Sequence, residues 1–332
     1  MTGLARIPIG LIDKAARRYG LDREELIRLA GLTPTELDDP DSRVSLAKIW
    51  TLWRVVIDKA PDPWLGLHLG AETAVRELGL VGYAAYHSQT LHAAFERVAR
   101  YSRIVNEALV AHMIDHEDRG SFAVDKAPRL DALRHPIDGR LASVWAVARE
   151  LTGVDVTPLE VRFPYPRPAD TSELARVFGC SMQFDQPESM IVFSRTDLDR
   201  EVVHADETLS GYLDKLAIDS LKTLDEDVSF RQRVRRAIWS ELSGGKPSVR
   251  QIARKLGVSP RTLQRRLEEE RTSFAAELDG LRHEAASSLL EDRSLAVYEI
   301  AFLLGYSEPS TFYRAFRRWK RISPQEFRRS TA

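Results

Sequence analysis

Apolar residues recur at spacings of three and four along most of the chain, which predicts a largely helical protein. Residues 8–32 read as two packed helices, the second opened by a capping box of Asp22 and Glu25. Residues 44–60 form an amphipathic pattern with Leu46, Ile49, Trp50, Trp53, Val56 and Ile57 inward, ended by Pro61 and Pro63. A short helical turn over 63–72 follows. Residues 78–105 then predict two helices broken near Ser88–Thr90, with Leu91, Phe95, Val98 and Tyr101 along one face of the second. At residues 108–116 the period changes to two. Asp118-Arg119-Gly120 is a turn, and residues 121–126 alternate again, which predicts a β-hairpin. Residues 134–152 return to helix, with Leu141, Val144, Trp145, Ala148 and Leu151 inward. Strands are expected at 159–165 and 189–193, with a short helix at 171–178 between them. Residues 207–224 are an apolar-striped helix, Asp225-Glu226-Asp227 is the expected linker, and 230–242 is a helix stopped by Gly244-Gly245. The fold class is therefore an α+β N-terminal domain with a small sheet, residues 1–224, followed by an all-α domain, residues 225–332.

The helical pattern has its own punctuation in residues 248–267. Ser248 and Gln251 are spaced as a capping box, Ile252, Ala253 and Leu256 form an inward stripe, and Gly257 supplies a tight turn. Ser259 is an N-cap and Pro260 an N1 residue, where a missing N–H costs nothing. Leu263 and Leu267 face inward, leaving Arg261, Thr262, Gln264 and Arg265 outside. This is a helix-turn-helix over about 248–268. Its second helix would enter a major groove by its N-terminal end, with Arg suited to guanine and Gln to adenine.

The stretch occurs twice. Ile300-Ala301-Phe302-Leu303-Leu304-Gly305-Tyr306-Ser307 repeats residues 252–259, and Thr311–Phe316 repeats residues 262–267. The offset is 48 residues before the turn and 49 after it, so the second turn, in a motif over about 295–318, is one residue longer. Between the copies, residues 273–291 read as one helix about 28 Å long. Successive major grooves on one face of DNA lie about 34 Å apart, so a rigid helix of that length can seat two readers in neighbouring grooves.

Charge divides along the same line. Residues 226–332 carry 21 Lys and Arg against 14 Asp and Glu, whereas residues 1–225 carry 27 against 35. A basic third on an acidic remainder predicts that one domain meets phosphates and the other does not. The densest basic run is Arg314, Arg317, Arg318, Lys320 and Arg321. Residues 15–25 imitate a third helix-turn-helix, but its second helix would present Glu24 and Glu25 to phosphate. Cys180 is the single cysteine, so an internal disulfide and a cysteine-rich metal site are excluded, in keeping with a reducing cytoplasm. The first 20 residues lack a signal-peptide core, and no apolar run approaches a membrane span. His112 and His116 have the spacing of a helical metal pair. On a strand they lie about 13 Å apart, so both are expected to face solvent, and no metal or cofactor is expected.

The arrangement I-A-x-x-L-G-V-S-P-R-T-L-x-R-x-L, then I-A-x-L-L-G-Y-S-E-P-S-T-F-x-R-A-F-R-R-W and Ser323-Pro324-Gln325-Glu326-Phe327-Arg328, resembles the DNA-binding domain of AraC/XylS-type transcription regulators. Ser323, Pro324 and Glu326 also read as cap, N1 and capping-box partner. The N-terminal region resembles the ligand-binding and dimerisation domain of the subgroup that includes the ornithine-utilisation and mycobacterial virulence regulators. Gly79-Leu80-Val81-Gly82-Tyr83-Ala84, residues 161–168, Phe178-Gly179-Cys180 and His204-Ala205-Asp206 carry that likeness. In that pattern Cys180 is a turn or core residue.

The resemblance implies a sequence-specific regulator of double-stranded DNA. Arg261, Thr262, Gln264 and Arg265 would read bases in one half, and Glu308, Ser310, Thr311 and Arg314 in the other. Ser248, Arg266, Tyr313, Arg317, Arg318 and Lys320 are the expected phosphate contacts. It further implies a small-molecule effector, for which Tyr83, Tyr86, His87, Trp145 and Arg162 are the candidate pocket residues, together with activation through RNA polymerase and a homodimer in the cytoplasm. Two other readings stay open: a regulator whose N-terminal domain only dimerises or contacts protein, and a DNA-repair enzyme carrying the same helical module. The repair chemistry needs an activated thiolate and usually several zinc-bound cysteines, against which a lone Cys180 argues.

Overall fold

The alternating stretches do form a sheet. A computed structural model of the chain describes residues 3–38, 42–125, 134–227, 229–242, 247–291, 295–306 and 308–330. By contact it divides into a unit of Leu4–Leu224 and a unit from Asp225 onward. Lys126, Gly244, Gly245 and Ser307 lie outside the described residues.

The first unit begins with β1 (Leu4–Arg6), α1 (Ile9–Tyr19), α2 (Arg23–Leu29), α3 (Pro34–Asp38), β2 (Arg43–Ser45) and α4 (Leu46–Lys59). There follow α5 (Leu65–Ala71), a 3₁₀ turn at Val75–Leu78, α6 (Leu80–Tyr86), α7 (Leu91–Val105), β3 (Ala111–Asp115), β4 (Arg119–Val124) and α8 (Arg134–Thr152). The unit closes with β5 (Glu160–Arg162), α9 (Ser172–Phe178), β6 (Ser181–Gln183), β7 (Ser189–Ser194), α10 (Arg195–Leu198) and α11 (Glu207–Asp227).

Strands β3-β4-β7-β5-β6 form one sheet, antiparallel except for the β5–β6 pair, and β1 and β2 pair separately. The predicted hairpin is β3–β4, displaced so that Arg119 and Gly120 belong to the second strand rather than to the turn. Alternation sorts the central strands. Phe122, Val124, Ile191 and Phe193 face the main core, where Phe95 and Leu141 meet them, and Ala123, Met190 and Val192 form a smaller cluster on the other side. Trp50 and Ile57 are half-buried, so the buried face of α4 is Leu46, Ile49, Leu52 and Val56.

Two local predictions are corrected. The Asp22 carboxylate does accept from the Glu24 and Glu25 N–H groups, but the Glu25 side chain pairs with Lys59 at 3.1 Å instead of completing a box. The expected linker at Asp225–Asp227 is helical, since α11 runs through it, and the boundary between the two units falls at its start.

Helices α5 and α8 meet backbone to backbone. A Cβ on Gly70 would lie 2.2 Å from the Gly139 carbonyl oxygen, and one on Gly66 would lie 2.0 Å from that of His135. Beside this contact Asp138 is fully buried, accepting from the Tyr165 hydroxyl and paired with Arg134 at 3.0 Å. Burial pushes its pKa up to about 6, against the opposing pull of Tyr165 and Arg134. A carboxyl with a raised folded-state pKa contributes stability that is complete below its unfolded value of 3.8 and is lost as pH rises through about 6. The melting temperature of Asp138→Asn, followed from about pH 4 to pH 7, is therefore expected to fall less, or rise more, than that of the wild type. Parallel curves for the two proteins would refute the assignment.

The second unit holds α12 (Phe230–Leu242), α13 (Val249–Lys255), α14 (Pro260–Glu269), α15 (Phe274–Glu291), α16 (Val297–Leu303), α17 (Pro309–Lys320) and α18 (Pro324–Ser330). Its core takes Ile252, Leu263 and Leu267 from the first motif and Ile300, Phe312 and Phe316 from the second, with Leu281, Ala285 and Leu290 of α15 between them. Helix α15 is also held by polar contacts. Arg282 donates to the carbonyls of Leu304 and Gly305 at 2.8 Å each, and the Trp319 indole donates to Asp279 at 2.9 Å.

Candidate nucleic-acid interface

Each recognition helix follows a closed glycine turn. In the first motif Gly257 has φ +67°, and the Val258 N–H returns to the Ala253 carbonyl at 3.0 Å. The second motif repeats the closure with Gly305 at φ 70° and Tyr306 N–H to the Ala301 carbonyl at 3.0 Å. Glycine is required at both positions because a Cβ there would crowd the following carbonyl. The Ser248 hydroxyl accepts from the Gln251 N–H at 3.2 Å, and the Ser259 hydroxyl accepts from the Thr262 N–H at 3.1 Å. The reciprocal half of the first capping box is not made, because the Gln251 amide donates to Glu241 at 2.6 Å. Ser323 and Glu326 do form a complete box, at 2.6 and 3.2 Å.

The Ser259 cap on α14 and the closed turn at Gly305 before α17 leave both helices with their apolar sides in the core and their polar N-terminal turns outside. Arg261, Gln264 and Arg265 are exposed and Thr262 is half-buried, its hydroxyl 2.9 Å from that of Ser259. Glu308, Ser310, Thr311 and Arg314 are all exposed. Their neighbours hold them loosely: Arg265 lies 3.6 Å from Glu269, Ser310 donates to Glu308 at 3.3 Å, and Arg314 donates to Thr311 at 3.4 Å. Exposed pairs of this kind are worth less than about 1 kcal/mol and yield easily to a base edge.

Of the residues expected at phosphates, Ser248, Arg266, Arg317, Arg318 and Lys320 are exposed and Tyr313 is half-buried. Arg266 lies over the Phe230 ring at 5.1 Å and Lys320 over Phe327 at 5.6 Å, while Arg318 bonds to Asp279 of α15. Their charged groups thus rest on the unit's surface, over a ring or beside a carboxylate. Sequence reasoning missed Arg250 and Arg254. With Ser248 and Gln251 they border a concavity of about 390 Å³ at the start of α13. Their i, i+4 spacing on the polar side of the first helix was the available signal.

The proposed effector residues are dispersed among other duties. Tyr83 is exposed, Tyr86 stacks on His204 at 4.5 Å, and His87 contacts the His204 carbonyl at 2.9 Å. Trp145 donates to the Val156 carbonyl at 3.0 Å, and Arg162 pairs with Glu160. None of the five borders the 560 Å³ cavity that the first unit contains. His116 is exposed as expected, but His112 is only half-exposed, with Asp125 and Glu188 at 3.6 and 3.5 Å on opposite ring nitrogens. Burial first, with the charge of Glu160, pushes the Cys180 thiol up to about 11, so it stays protonated at neutral pH. Among the described residues no helix is long and apolar enough to cross a membrane.

Comparison with known proteins matches residues 20–202 to the arabinose-binding domain of AraC transcription regulator, N-term, and residues 252–330 to a helix-turn-helix domain. The chain is 31% identical to the ornithine utilization regulator of Pseudomonas aeruginosa over 96% of its own length and 94% of that protein's. It is 25% identical to the HTH-type transcriptional regulator VirS of Mycobacterium tuberculosis, covering 94% of this chain and 92% of that one. The solved structure of the transcriptional regulator CdpR from Pseudomonas aeruginosa aligns over 92% of this chain and 96% of that chain, at 23% identity and a TM-score of 0.47.

Proposed function

The chain belongs to the AraC-type family of helix-turn-helix transcription regulators, and from that we propose that α14 and α17 read two segments of one operator. Arg261, Thr262, Gln264 and Arg265 meet bases in one segment, and Glu308, Ser310, Thr311 and Arg314 in the other. The first set is rich in Arg and the second in hydroxyls, so the half-site is asymmetric. The observation that carries this is the structural repeat: two identically closed turns, each opening a helix whose first polar residues are exposed, on either side of one 18-residue helix. Ser248, Arg266, Tyr313, Arg317, Arg318 and Lys320 meet phosphates, joined by Arg250 and Arg254. Binding of the purified chain to its own upstream duplex, against a scrambled duplex at several salt concentrations, tests the reading. A preference of about a thousandfold or more with a steep salt dependence is expected. Equal affinity for every duplex carrying the upstream region and for scrambled DNA would refute it.

The protein works in the cytoplasm as an activator that contacts RNA polymerase, is not an enzyme, and responds to a small molecule held by its N-terminal unit. Two things support the last point: the match of residues 20–202 to a ligand-binding family, and a cavity in that unit. The chain also acts as a homodimer. Leu209, Tyr212 and Leu216 form an exposed stripe on α11, while Ala217 on another side of the helix is buried against Tyr101 and Ile104. Sedimentation of Leu216→Glu is expected to show monomer at concentrations where the wild type is dimeric. An unchanged sedimentation coefficient would remove α11 from the interface.

A further inference from the structure

The 560 Å³ cavity lies wholly within the first unit and is of the size that holds small molecules. Its base is rigid, since Gly70 and Gly139 line it at the point where α5 and α8 touch through their backbones. Ile9, Ile49, Trp53, Leu69 and Leu109 supply apolar wall. The charged lining is unbalanced: Arg6, Lys14, Arg76 and Arg140 face it against only Asp13 and Glu77, an excess of two positive charges.

Both carboxylates already have partners. Glu77 accepts from Lys14 at 3.0 Å and from the Ala74 N–H at 3.0 Å, and Asp13 pairs with Arg23 at 2.8 Å. Lys14, only 6% exposed, also donates to Thr73 at 3.0 Å, and Thr73 shares a hydrogen bond of 3.1 Å with Ser143. Glu77 is thus spent on fixing Lys14 and Asp13 on Arg23, and three of the four cationic lining residues are arginines. Arg6 is brought in by a backbone device: Gly79 has φ +59°, and a Cβ there would stand 1.8 Å from the guanidinium. Any other residue at position 79 would displace Arg6.

We propose that this cavity binds a small organic carboxylate, with its charge toward the arginines and its apolar part against Trp53 and the aliphatic walls, and that it is the effector site. The proposal rests on the effector-responsive reading above. An anionic head offsets the positive excess, and the planar arginine fork matches a carboxylate. A cationic ligand would add to that excess, and a neutral one would leave it unchanged while losing contact with water.

Calorimetric titration of the full chain with octanoate and 4-phenylbutyrate, against octanol and octylamine, is the test. The acids are expected to bind, the alcohol and amine at least about tenfold more weakly, and Arg140→Gln to weaken the acids about tenfold or more. Arg76→Gln, at an exposed position, is a second variant that spares the fold, and Arg162→Gln outside the cavity is expected to bind like the wild type. Absence of binding by both acids, equal binding of acid and amine, or affinities unchanged in both cavity variants would overturn the site. Operator binding separates this from the wider reading. Acids that bind in the cavity without altering operator affinity leave the site standing and remove the sensing role. A ligand that alters operator affinity and is not displaced by octanoate keeps the sensing role and removes this site.

Discussion

Replacing Arg265 and Arg314 together by alanine is expected to weaken operator binding by about 2–6 kcal/mol while leaving the weak affinity for scrambled DNA nearly intact. Each is an exposed arginine of the base-reading set on its recognition helix, and a bidentate arginine at a guanine edge contributes about 1–3 kcal/mol. They sit on separate helices, α14 and α17, with α15 between them, so their losses add unless the unit itself is disturbed. Neither anchors the fold, because both are exposed and their contacts, to Glu269 and Thr311, lie on their own helices. The readout that matters is the ratio of operator to scrambled affinity. Single variants should each relax one base position in a binding-site selection. A double variant that loses both affinities in proportion would make the two arginines phosphate contacts and move base reading to Gln264, Ser310 and Thr311.

Much of this interface was legible in the sequence because its determinants are local. A cap, an N1 proline and a turn glycine act within four or five residues, so Ser259, Pro260 and Gly257 could be assigned from spacing alone. Where a local signal competed with a distant partner it failed. Gln251 has the spacing of a capping-box partner, but a carboxylate ten residues earlier holds its amide at 2.6 Å. Glu25 turns likewise to Lys59. Strands β1, β2 and β6 escaped notice because three residues show no period. The extension of α11 through Asp225–Asp227 escaped because an acidic run reads equally as linker or as solvated helix.

The cavity lay beyond sequence reasoning for a different reason. Its lining is gathered from Ala5 to Ser143 across several elements. Its two least replaceable features, the α5–α8 glycine contact and the seat of Arg6 over Gly79, are encounters between residues about 70 apart. Aromatic and basic residues near family-like motifs, such as Tyr86, Trp145 and Arg162, were visible in sequence, but the fold engages them in stacking, a carbonyl hydrogen bond and an ion pair.

Removal of Glu277 is the substitution expected to cost the DNA-binding unit most. Its carboxylate is 1% exposed on α15 and takes Arg235 at 2.8 Å and Arg231 at 2.7 Å from α12, with a further hydrogen bond from Thr272. Burial alone would raise its pKa, but the hydrogen bonds from Arg235 and Thr272 and the charge of Arg231 outweigh it and hold it below the ordinary 4.5. Glu277→Ala leaves the buried Arg235 with Glu284 alone at 2.6 Å. Breaking a buried pair by deleting one partner costs about 3–5 kcal/mol, because the surviving charge stays out of water. A urea transition of the full chain, with operator binding used to assign the step that belongs to this unit, should therefore shift to a lower midpoint at unchanged slope. A carboxylate with a lowered folded-state pKa contributes stability above its unfolded value that is lost as pH falls through the folded one. The wild type should accordingly lose this advantage over Glu277→Ala only below about pH 4.5. If the pair exists for register rather than net stability, replacing Arg235 and Glu277 together by leucine should recover most of the loss. A single variant within about 0.5 kcal/mol of the wild type would mean that α12 and α15 are held by Val234, Ile238 and Leu281 alone.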